Sequence, residues 1–193
     1  GYDKFSSVLN IFKEFDDELY TKLTSLRDRI SQLEDLKTYS NEINDLEKKF
    51  TLFNFKTINE LMKNIDENID LIGFHGQTIF HDSEIKISKQ LGDGKLLSSL
   101  LKKIVVNNFR KNDLNHGGQG APLTPIFHNL ISKKIKIDFK IQLPLNIINI
   151  GGITNLTQIK DQTNDLNSNL FAYDIAPGNC LIDQWVRNHT KFK

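Results

Sequence analysis

The α/β character of the chain is set at Leu71-Ile72-Gly73-Phe74-His75-Gly76-Gln77-Thr78, where an apolar run ends in a polar turn with two glycines. Beyond this point, short apolar or β-branched runs alternate with glycine-rich turns and short helical stretches, which is typical of α/β units. We expect the chemistry to lie in those turns. The predicted strands cover residues 71–74, 104–109, 145–150, 154–159 and 170–174, and the predicted helices cover residues 95–103, 122–132 and 179–188.

The first 70 residues have a helical pattern instead. From Ile11 to Leu36, apolar residues recur every three or four positions, which predicts one long amphipathic helix. Either a coiled-coil partner or the core of the domain can cover its apolar face. A second stripe predicts a helix over residues 43–53. Thr57 and Glu60 form a capping-box pattern that predicts the start of a third helix.

Composition restricts the class of protein. The 193 residues are 38% apolar and 25% charged, as in ordinary globular proteins of one or two domains. A net charge of +1 gives no strong field for nucleic acid or for an acidic membrane surface. The single cysteine, Cys180, excludes an internal disulfide, and no apolar run is long enough to span a membrane. We expect a cytoplasmic protein without nucleic-acid or membrane partners.

Two turns in the first half place polar side chains beside glycines. His75 and Gln77 can bind sugar hydroxyls, although a histidine at a strand end also serves as a hydrogen-bonded structural residue. His81 follows in the sequence, but no cysteine or acidic cluster completes a metal site, so we predict no metal ligands. The turn at residues 90–94, QLGDG, precedes a helical stretch and can be a plain tight turn.

The turn richest in candidate groups covers residues 108–122, NFRKNDLNHGGQGAP. Its three glycines cost backbone entropy on folding, which favours a loop that surrounds a substrate. Asp113 is the candidate general base, since a carboxylate serves when it lies within hydrogen-bond reach of the proton that it removes. The alternative is that Asp113 caps the loop. Pro122 fits the first turn of the following helix.

Glycines mark two turns in the second half. Residues 149–157, NIGGITNLT, predict a hairpin whose bare backbone can lie along phosphates, or a hairpin without a ligand. Residues 173–179, YDIAPGN, lead from a strand into a helix that carries Asp183 and Trp185. The polar run at 161–169 predicts a surface loop. Neither the G-x-x-x-x-G-K-[ST] loop nor the G-x-G-x-x-G fingerprint occurs, so nucleotide binding requires another architecture.

Taken in order, these turns resemble those of the anhydro-N-acetylmuramic acid kinases, bacterial enzymes of peptidoglycan recycling. The resemblance implies a partial actin-like (ribonuclease H-like) sugar kinase α/β fold with a helical N-terminal segment. It assigns residues 1–70 and 71–140 to the first lobe, and 141–193 to the start of the second, nucleotide-binding lobe. The matching segments are residues 75–78, 90–94, 110–122, 149–157 and 177–179, followed by Asp183.

The resemblance also implies a reaction and its site. ATP and water convert 1,6-anhydro-N-acetylmuramic acid into N-acetylmuramic acid 6-phosphate, with Mg²⁺ bound through phosphate oxygens. The family's catalytic base falls on Asp113, and the partners implied are the amino sugar, ATP and a second copy in a homodimer. The implied substrate-binding residues are His75, Gln77, Thr78, Arg110, Gly117, Gly118 and Gln119, and the implied nucleotide-binding residues are Gly151, Gly152, Asn155, Gly178 and Asn179.

The sequence departs from the family pattern at three positions and at both ends. Asn108 stands where an aspartate is usual, His116 replaces a small residue and Ala176 replaces a glycine. The family opens with a Gly-Thr-Ser-x-Asp-Gly phosphate loop and continues past the helix of Trp185, so we expect an incomplete chain. Two alternatives stay open: an inactive fragment or split-gene remnant that binds sugar or nucleotide without turnover, and an actin-like assembly or chaperone module.

Overall fold

The structure, a computed structural model, describes residues 6–161 and 169–190 and divides into two compact units that meet in the sequence at residues 120 and 121. The predicted α/β fold with a helical N-terminal segment is confirmed, whereas the assignment of residues to lobes stays a prediction. The N-terminal unit contains α1 (Asp17–Arg29), α2 (Leu33–Thr38), α3 (Ser40–Met62), β1 (Leu71–Gly73), β2 (Gln77–Asp82), β3 (Ile87–Leu91), α4 (Gly94–Leu101), β4 (Ile104–Val106) and α5 (Phe109–Asn115). The C-terminal unit contains α6 (Pro125–Phe139), β5 (Leu145–Ile150), β6 (Ile153–Ile159), β7 (Leu170–Pro177) and α7 (Asn179–His189).

The single helix predicted over residues 11–36 is wrong, because two helices, α1 and α2, replace it. The carboxylate of Asp35 accepts hydrogen bonds from the backbone N–H groups of Ser31 and Gln32, at 2.9 and 3.0 Å. These bonds satisfy backbone donors at the start of α2. A local cap therefore separates two helices, although the apolar periodicity of the sequence continues through both.

Helix α3 is continuous where two helices were predicted. Thr57, which was expected to cap a helix, lies inside α3, and its hydroxyl donates to the carbonyl oxygen of Phe53 at 3.1 Å. Threonine commonly makes this bond to the preceding turn within a helix. The predicted helix start at Thr57 is therefore wrong, and a single helix spans Ser40–Met62.

The hairpin of β2 and β3 was not predicted. Gln77 pairs with Leu91 at the open end of this antiparallel pair, so residues expected in turns lie on strands. Strand β4 is also shorter than predicted, because α5 already begins at Phe109. The sequences of β2 (QTIFHD) and β3 (ISKQL) lack strict alternation of apolar and polar residues, so the usual period-2 signal of a strand is absent.

The core of the N-terminal unit lies between its helices and its short strands. The rings of Phe50 on α3 and Phe74 after β1 stack with centroids 6.2 Å apart. β1 and β4 pair in parallel, with Leu71 in register with Ile104. The buried apolar residues of this core are Leu19, Leu23, Leu26, Ile30, Ile43, Leu46, Phe50, Phe74, Ile79, Leu91, Leu97 and Leu101.

The C-terminal unit is a three-stranded antiparallel sheet in the order β5-β6-β7, with α6 packed against it. The hairpin predicted around Gly151 and Gly152 is confirmed, since β5 pairs with β6 across this turn. The helix start predicted at Pro122 is wrong, because Pro125 occupies the first turn of α6. The predicted loop at 161–169 falls mainly on residues 162–168, outside the described part of the chain.

Contact between α6 and the sheet includes one buried polar pair. Nδ1 of His128 lies 2.7 Å from Oγ1 of Thr157, and the Thr157 side chain is fully buried. Burial lowers the pKa of His128 below its ordinary value. The folded unit therefore holds this imidazole in its neutral form more strongly than the unfolded chain does.

None of the helices in the described part of the chain is long and apolar enough to cross a membrane.

Two leucines on α4 provide a test of the core. Leu97 is fully buried, whereas Leu100 is exposed. We predict that Leu97→Ala lowers the free energy of unfolding of the N-terminal unit by about 2–5 kcal/mol, because it leaves a cavity. Leu100→Ala, on the same helix, should change it by less than about 1 kcal/mol. Urea unfolding followed by far-UV circular dichroism measures both, and equal losses would contradict the packing described.

Acid should destabilise the C-terminal unit through His128. As the pH falls from about 7 to about 5, the unfolded chain binds a proton at this histidine before the folded unit does, so the free energy of unfolding decreases. We predict that His128→Gln flattens this pH dependence, while His116→Gln leaves it unchanged. The fluorescence of Trp185, the single tryptophan, follows unfolding of this unit. A slope that survives in His128→Gln would assign the effect to another group.

Candidate active site

The parallel pairing of β1 and β4 brings two distant segments to one edge of the sheet. The segment after β1 contains His75, and the segment after β4 begins α5, which carries Arg110. Parallel strands that end at the same edge place the residues that follow them side by side. Nε of Arg110 accordingly donates a hydrogen bond to Nε2 of His75 at 3.1 Å.

Arg110 also contacts the glycine-rich turn. Its Nη1 donates to the carbonyl oxygen of Gly120 at 2.8 Å. Burial lowers the pKa of Arg110 below its usual value, but a guanidinium stays protonated in proteins at neutral pH. A charged donor group therefore links the segment after β1 to the turn that follows α5.

Asp113 lies on α5 and not in a loop as expected. Its Oδ2 accepts a hydrogen bond from the backbone N–H of Gly120 at 2.7 Å. No hydrogen bond from a described residue reaches Oδ1. The half-buried carboxylate is therefore held by one oxygen, while the other can accept a proton or a hydrogen bond.

Glycine is required where the turn closes over this carboxylate. A Cβ at Gly118 would overlap the carboxylate of Asp113. Gly120 has a φ of +73°, which L side chains rarely adopt, and a Cβ there would lie 2.9 Å from Cγ of Leu114. The N–H of Gly118 also donates to the carbonyl oxygen of Asp113 at 2.9 Å. Gly118 therefore lies directly against the carboxylate of Asp113, and Gly120 lies against Leu114, so the turn packs closely around Asp113.

Gln77 and Thr78 occupy a different environment. They begin β2 and line a cavity of about 150 Å³ together with Phe15 and Tyr20. Nε2 of Gln90 donates to Oγ1 of Thr78 at 3.3 Å. Within the described residues, neither Gln77 nor Thr78 belongs to the hydrogen-bond network around Asp113. The structure therefore joins His75, Arg110, Gly118 and Asp113 but leaves these two predicted residues apart.

Sequence reasoning missed a polar cavity beside the start of α5. It has a volume of about 380 Å³ and is lined by Asn107, Lys89, Lys95 and Lys111, among others. A neighbouring cavity of about 440 Å³ shares Asn107, Asn108 and Lys111. The 90–94 turn and Asn108, which the sequence analysis singled out, also line the first cavity, but no motif marks its lysines or Asn107. Asn108 has a φ of +58°, a conformation that asparagine tolerates better than most side chains.

The predicted nucleotide-binding glycines of the C-terminal unit form one cluster. The backbone N–H of Gly178 donates to the carbonyl oxygen of Gly152, and that of Asn179 donates to Gly151, both at 2.8 Å. Nδ2 of Asn179 also donates to the carbonyl oxygen of Ile150 at 3.2 Å. The start of α7 is thereby fastened to the turn between β5 and β6. Tertiary structure brings together two glycine turns that the sequence places 26 residues apart.

Asn155, the fifth residue of that predicted set, lies on β6 between Asn149 and Asp174 of the neighbouring strands. Its Oδ1 is buried and has no hydrogen-bond partner among the described residues. A buried acceptor without a partner is unusual and suits a donor or a cation from a ligand. Among residues 6–161 and 169–190, no group of three or more His, Cys, Asp or Glu side chains is placed to hold a metal ion.

The alternating elements and the glycine turns define part of an actin-like sugar kinase fold. Within this class, the chain belongs to the anhydro-N-acetylmuramic acid kinase family, whose model matches residues 10–193. This finding confirms the resemblance of the turns.

Curated relatives agree with this assignment. The anhydro-N-acetylmuramic acid kinase of Pelagibacter ubique is 49% identical over 193 residues, which is 100% of this chain and 50% of the relative. That of Agrobacterium fabrum is 46% identical over 123 residues, 64% of this chain and 31% of the relative. That of Paramagnetospirillum magneticum is 38% identical over 151 residues, 77% of this chain and 39% of the relative. The chain spans half or less of the length of these relatives.

The contact between Gly178 and the β5–β6 turn can be tested with a matched pair of glycines. A Cβ at Gly178 would overlap the carbonyl oxygen of Gly151, whereas a Cβ at Gly152 has nothing within 4 Å. We predict that Gly178→Ala destabilises the C-terminal unit by about 1–3 kcal/mol, as overpacking does. Gly152→Ala should change stability by no more than about 0.5 kcal/mol. Unfolding followed by Trp185 fluorescence measures both, and a tolerated Gly178→Ala would contradict this close approach.

Proposed function

We propose that this chain carries catalytic and substrate-binding residues of a kinase that opens 1,6-anhydro-N-acetylmuramic acid and phosphorylates it to N-acetylmuramic acid 6-phosphate. Membership of the family and the placement of one carboxylate support this proposal. The observation that carries it is the environment of Asp113, whose Oδ2 is fixed by the N–H of Gly120 at 2.7 Å while Oδ1 accepts no hydrogen bond from a described residue. A fixed carboxylate with one free oxygen suits a general base.

In the proposed reaction, Asp113 removes a proton from a water molecule as the water oxygen bonds to the anomeric carbon. The bond between that carbon and the bridging oxygen breaks, and O6 keeps the electron pair. O6 then bonds to the γ-phosphorus of ATP, and ADP leaves. The carboxylate must lie within hydrogen-bond reach of the water, which its fixed Oδ2 and free Oδ1 permit.

Sugar-binding residues are proposed in the N-terminal unit. Gly117, Gly118 and Gln119 belong to the turn that wraps Asp113, so a sugar beside the carboxylate would meet this turn. Arg110 belongs to the same network and has His75 bonded to its Nε, while Gln77 and Thr78 would contribute from the β2 hairpin. This set remains a proposal that follows the family resemblance.

Phosphate binding is proposed for the C-terminal unit. The carbonyl oxygens of Gly151 and Gly152 accept bonds from the start of α7, which hold this turn in one arrangement and support a role for its bare backbone along phosphates. Gly178 and Asn179 complete this cluster, and the unpaired Oδ1 of Asn155 suits a donor. Mg²⁺ would supply charge neutralisation at the phosphates and be held mainly by phosphate oxygens.

The proposed reaction and the family resemblance also predict a cellular location, a pathway and an oligomeric state. Its ATP requirement favours the cytoplasm, and its product belongs to peptidoglycan recycling by family resemblance. A homodimer likewise follows from the family alone and stays a prediction.

Turnover should be measured on the chain and on a chimera, because the chain spans half of its Pelagibacter relative. In the chimera, these 193 residues replace the matching half of that relative. We predict that the chimera, incubated with ATP, Mg²⁺ and 1,6-anhydro-N-acetylmuramic acid, forms the ring-opened 6-phosphate, detected by mass spectrometry. Asp113→Asn should lower its rate by about 10²–10⁴-fold, the usual contribution of a general base.

Asp28→Asn, a change of the same kind at an exposed carboxylate on α1, serves as the control and should leave the rate unchanged. Turnover that survives Asp113→Asn would remove the proposed role of this residue. A folded chimera that binds the sugar or ATP without forming product would instead favour the remnant that binds without turnover.

A further inference from the structure

Arg110 connects three segments of the N-terminal unit. Its Nε donates to the side chain of His75, and its Nη1 donates to the carbonyl oxygen of Gly120. The N–H of the same Gly120 donates to Oδ2 of Asp113. The backbone of Gly120 therefore bridges the two side chains. Its carbonyl oxygen accepts from the guanidinium of Arg110, and its N–H donates to the carboxylate of Asp113.

These bonds define the tautomer of His75. An arginine Nε only donates, so Nε2 of His75 must be the acceptor and carries no proton. Nδ1 lies 2.8 Å from the carbonyl oxygen of Gly76, which only accepts, so Nδ1 must carry the proton. In this arrangement His75 carries its proton on Nδ1 and has both ring nitrogens bonded within the protein.

The turn that contains Gly120 is bonded to α5 through the N–H groups of Gly118 and Gly120, and Arg110 adds a bond from a third segment. Gly120 adopts a φ of +73°, and it follows a glycine pair in which Gly117 has a φ of +92°. Glycines of this kind have little conformational preference, so each additional bond to the turn narrows the arrangements that it can adopt. The guanidinium of Arg110 supplies such a bond, and His75 orients the guanidinium.

We propose that Arg110 and His75 are positioning residues that aim the carboxylate of Asp113 through Gly120. His75 acts on Arg110 and does not donate from Nε2 to a sugar, while the other N–H groups of Arg110 stay available to a ligand. The catalytic meaning of this arrangement rests on the proposed function of Asp113, but the hydrogen bonds themselves do not.

The tautomer of His75 and the exchange of the Gly120 amide report on these bonds directly. Long-range ¹H–¹⁵N spectra of the ¹⁵N-labelled 193-residue chain distinguish a histidine protonated on Nδ1 from one protonated on Nε2. We expect the Nδ1 form in the unaltered chain. In Arg110→Met, which keeps a long side chain without donors, His75 should gain Nε2–H character, and the Gly120 amide should exchange about tenfold faster.

Lys111→Met is the matched control, since it removes an exposed cation from the neighbouring position of α5. It should alter neither signal. His75→Ala should also speed exchange at Gly120, and His75→Gln, whose amide oxygen can accept from Arg110, should restore protection. General destabilisation would not produce this reversal between two substitutions at one position.

The positioning role is overturned by Nε2–H at His75 in the unaltered chain. It is equally overturned if Arg110→Met leaves the tautomer and the Gly120 exchange rate unchanged, or if it has no larger effect than Lys111→Met. These signals need neither ATP nor sugar. A chain with the expected tautomer but a chimera without turnover would therefore remove the proposed function and leave the hydrogen-bond arrangement standing.

Discussion

Helix α3 fixes, from one face, the segment that ends β3 and begins α4. Oε1 of Glu47 accepts from the N–H of Gly92 at 3.2 Å and from Nζ of Lys89 at 2.8 Å. The hydroxyl oxygen of Thr51, which is fully buried, accepts from the N–H of Asp93 at 2.9 Å. Both bonds are partly buried, where an unpaired backbone N–H costs free energy, so these two side chains hold the end of the hairpin and the start of α4 in place. β4 and α5 follow α4 in the chain and take their positions from it.

The candidate site depends in turn on the parallel pairing of β1 and β4. This pairing places His75 beside Arg110, although 35 positions separate them in the sequence. From Arg110 the contacts continue to Gly120 and then to Asp113. A short sheet thus connects packing in the helical segment to the orientation of one carboxylate. The glycine cluster of the C-terminal unit is built separately, by the bonds that fasten α7 to the β5–β6 turn.

Much of this organisation could be predicted where local signals agree. Strand β5 has the predicted bounds, the Gly151 turn joins two strands, and α7 begins at the predicted Asn179. A glycine pair between two β-branched runs is typical of the turn of a β-hairpin. Predictions failed where a polar side chain outside the apolar stripe bonds to the backbone nearby. Asp35 divides the first helix, and Thr57 bonds within α3 although its spacing to Glu60 imitates a cap.

The sequence alone determined the α/β class, the order of the turns and the family, because these follow from residue type and spacing, while the role of Asp113 as the base stays a proposal. Tertiary structure decided the rest: that Asp113 lies on a helix, that Gly118 leaves room for its carboxylate, and that His75 meets Arg110. Those facts depend on strand pairing between segments far apart in the chain. Local composition carries no information about register, so it could not show that His75, which the family resemblance assigns to the substrate, is bonded on both ring nitrogens within the protein.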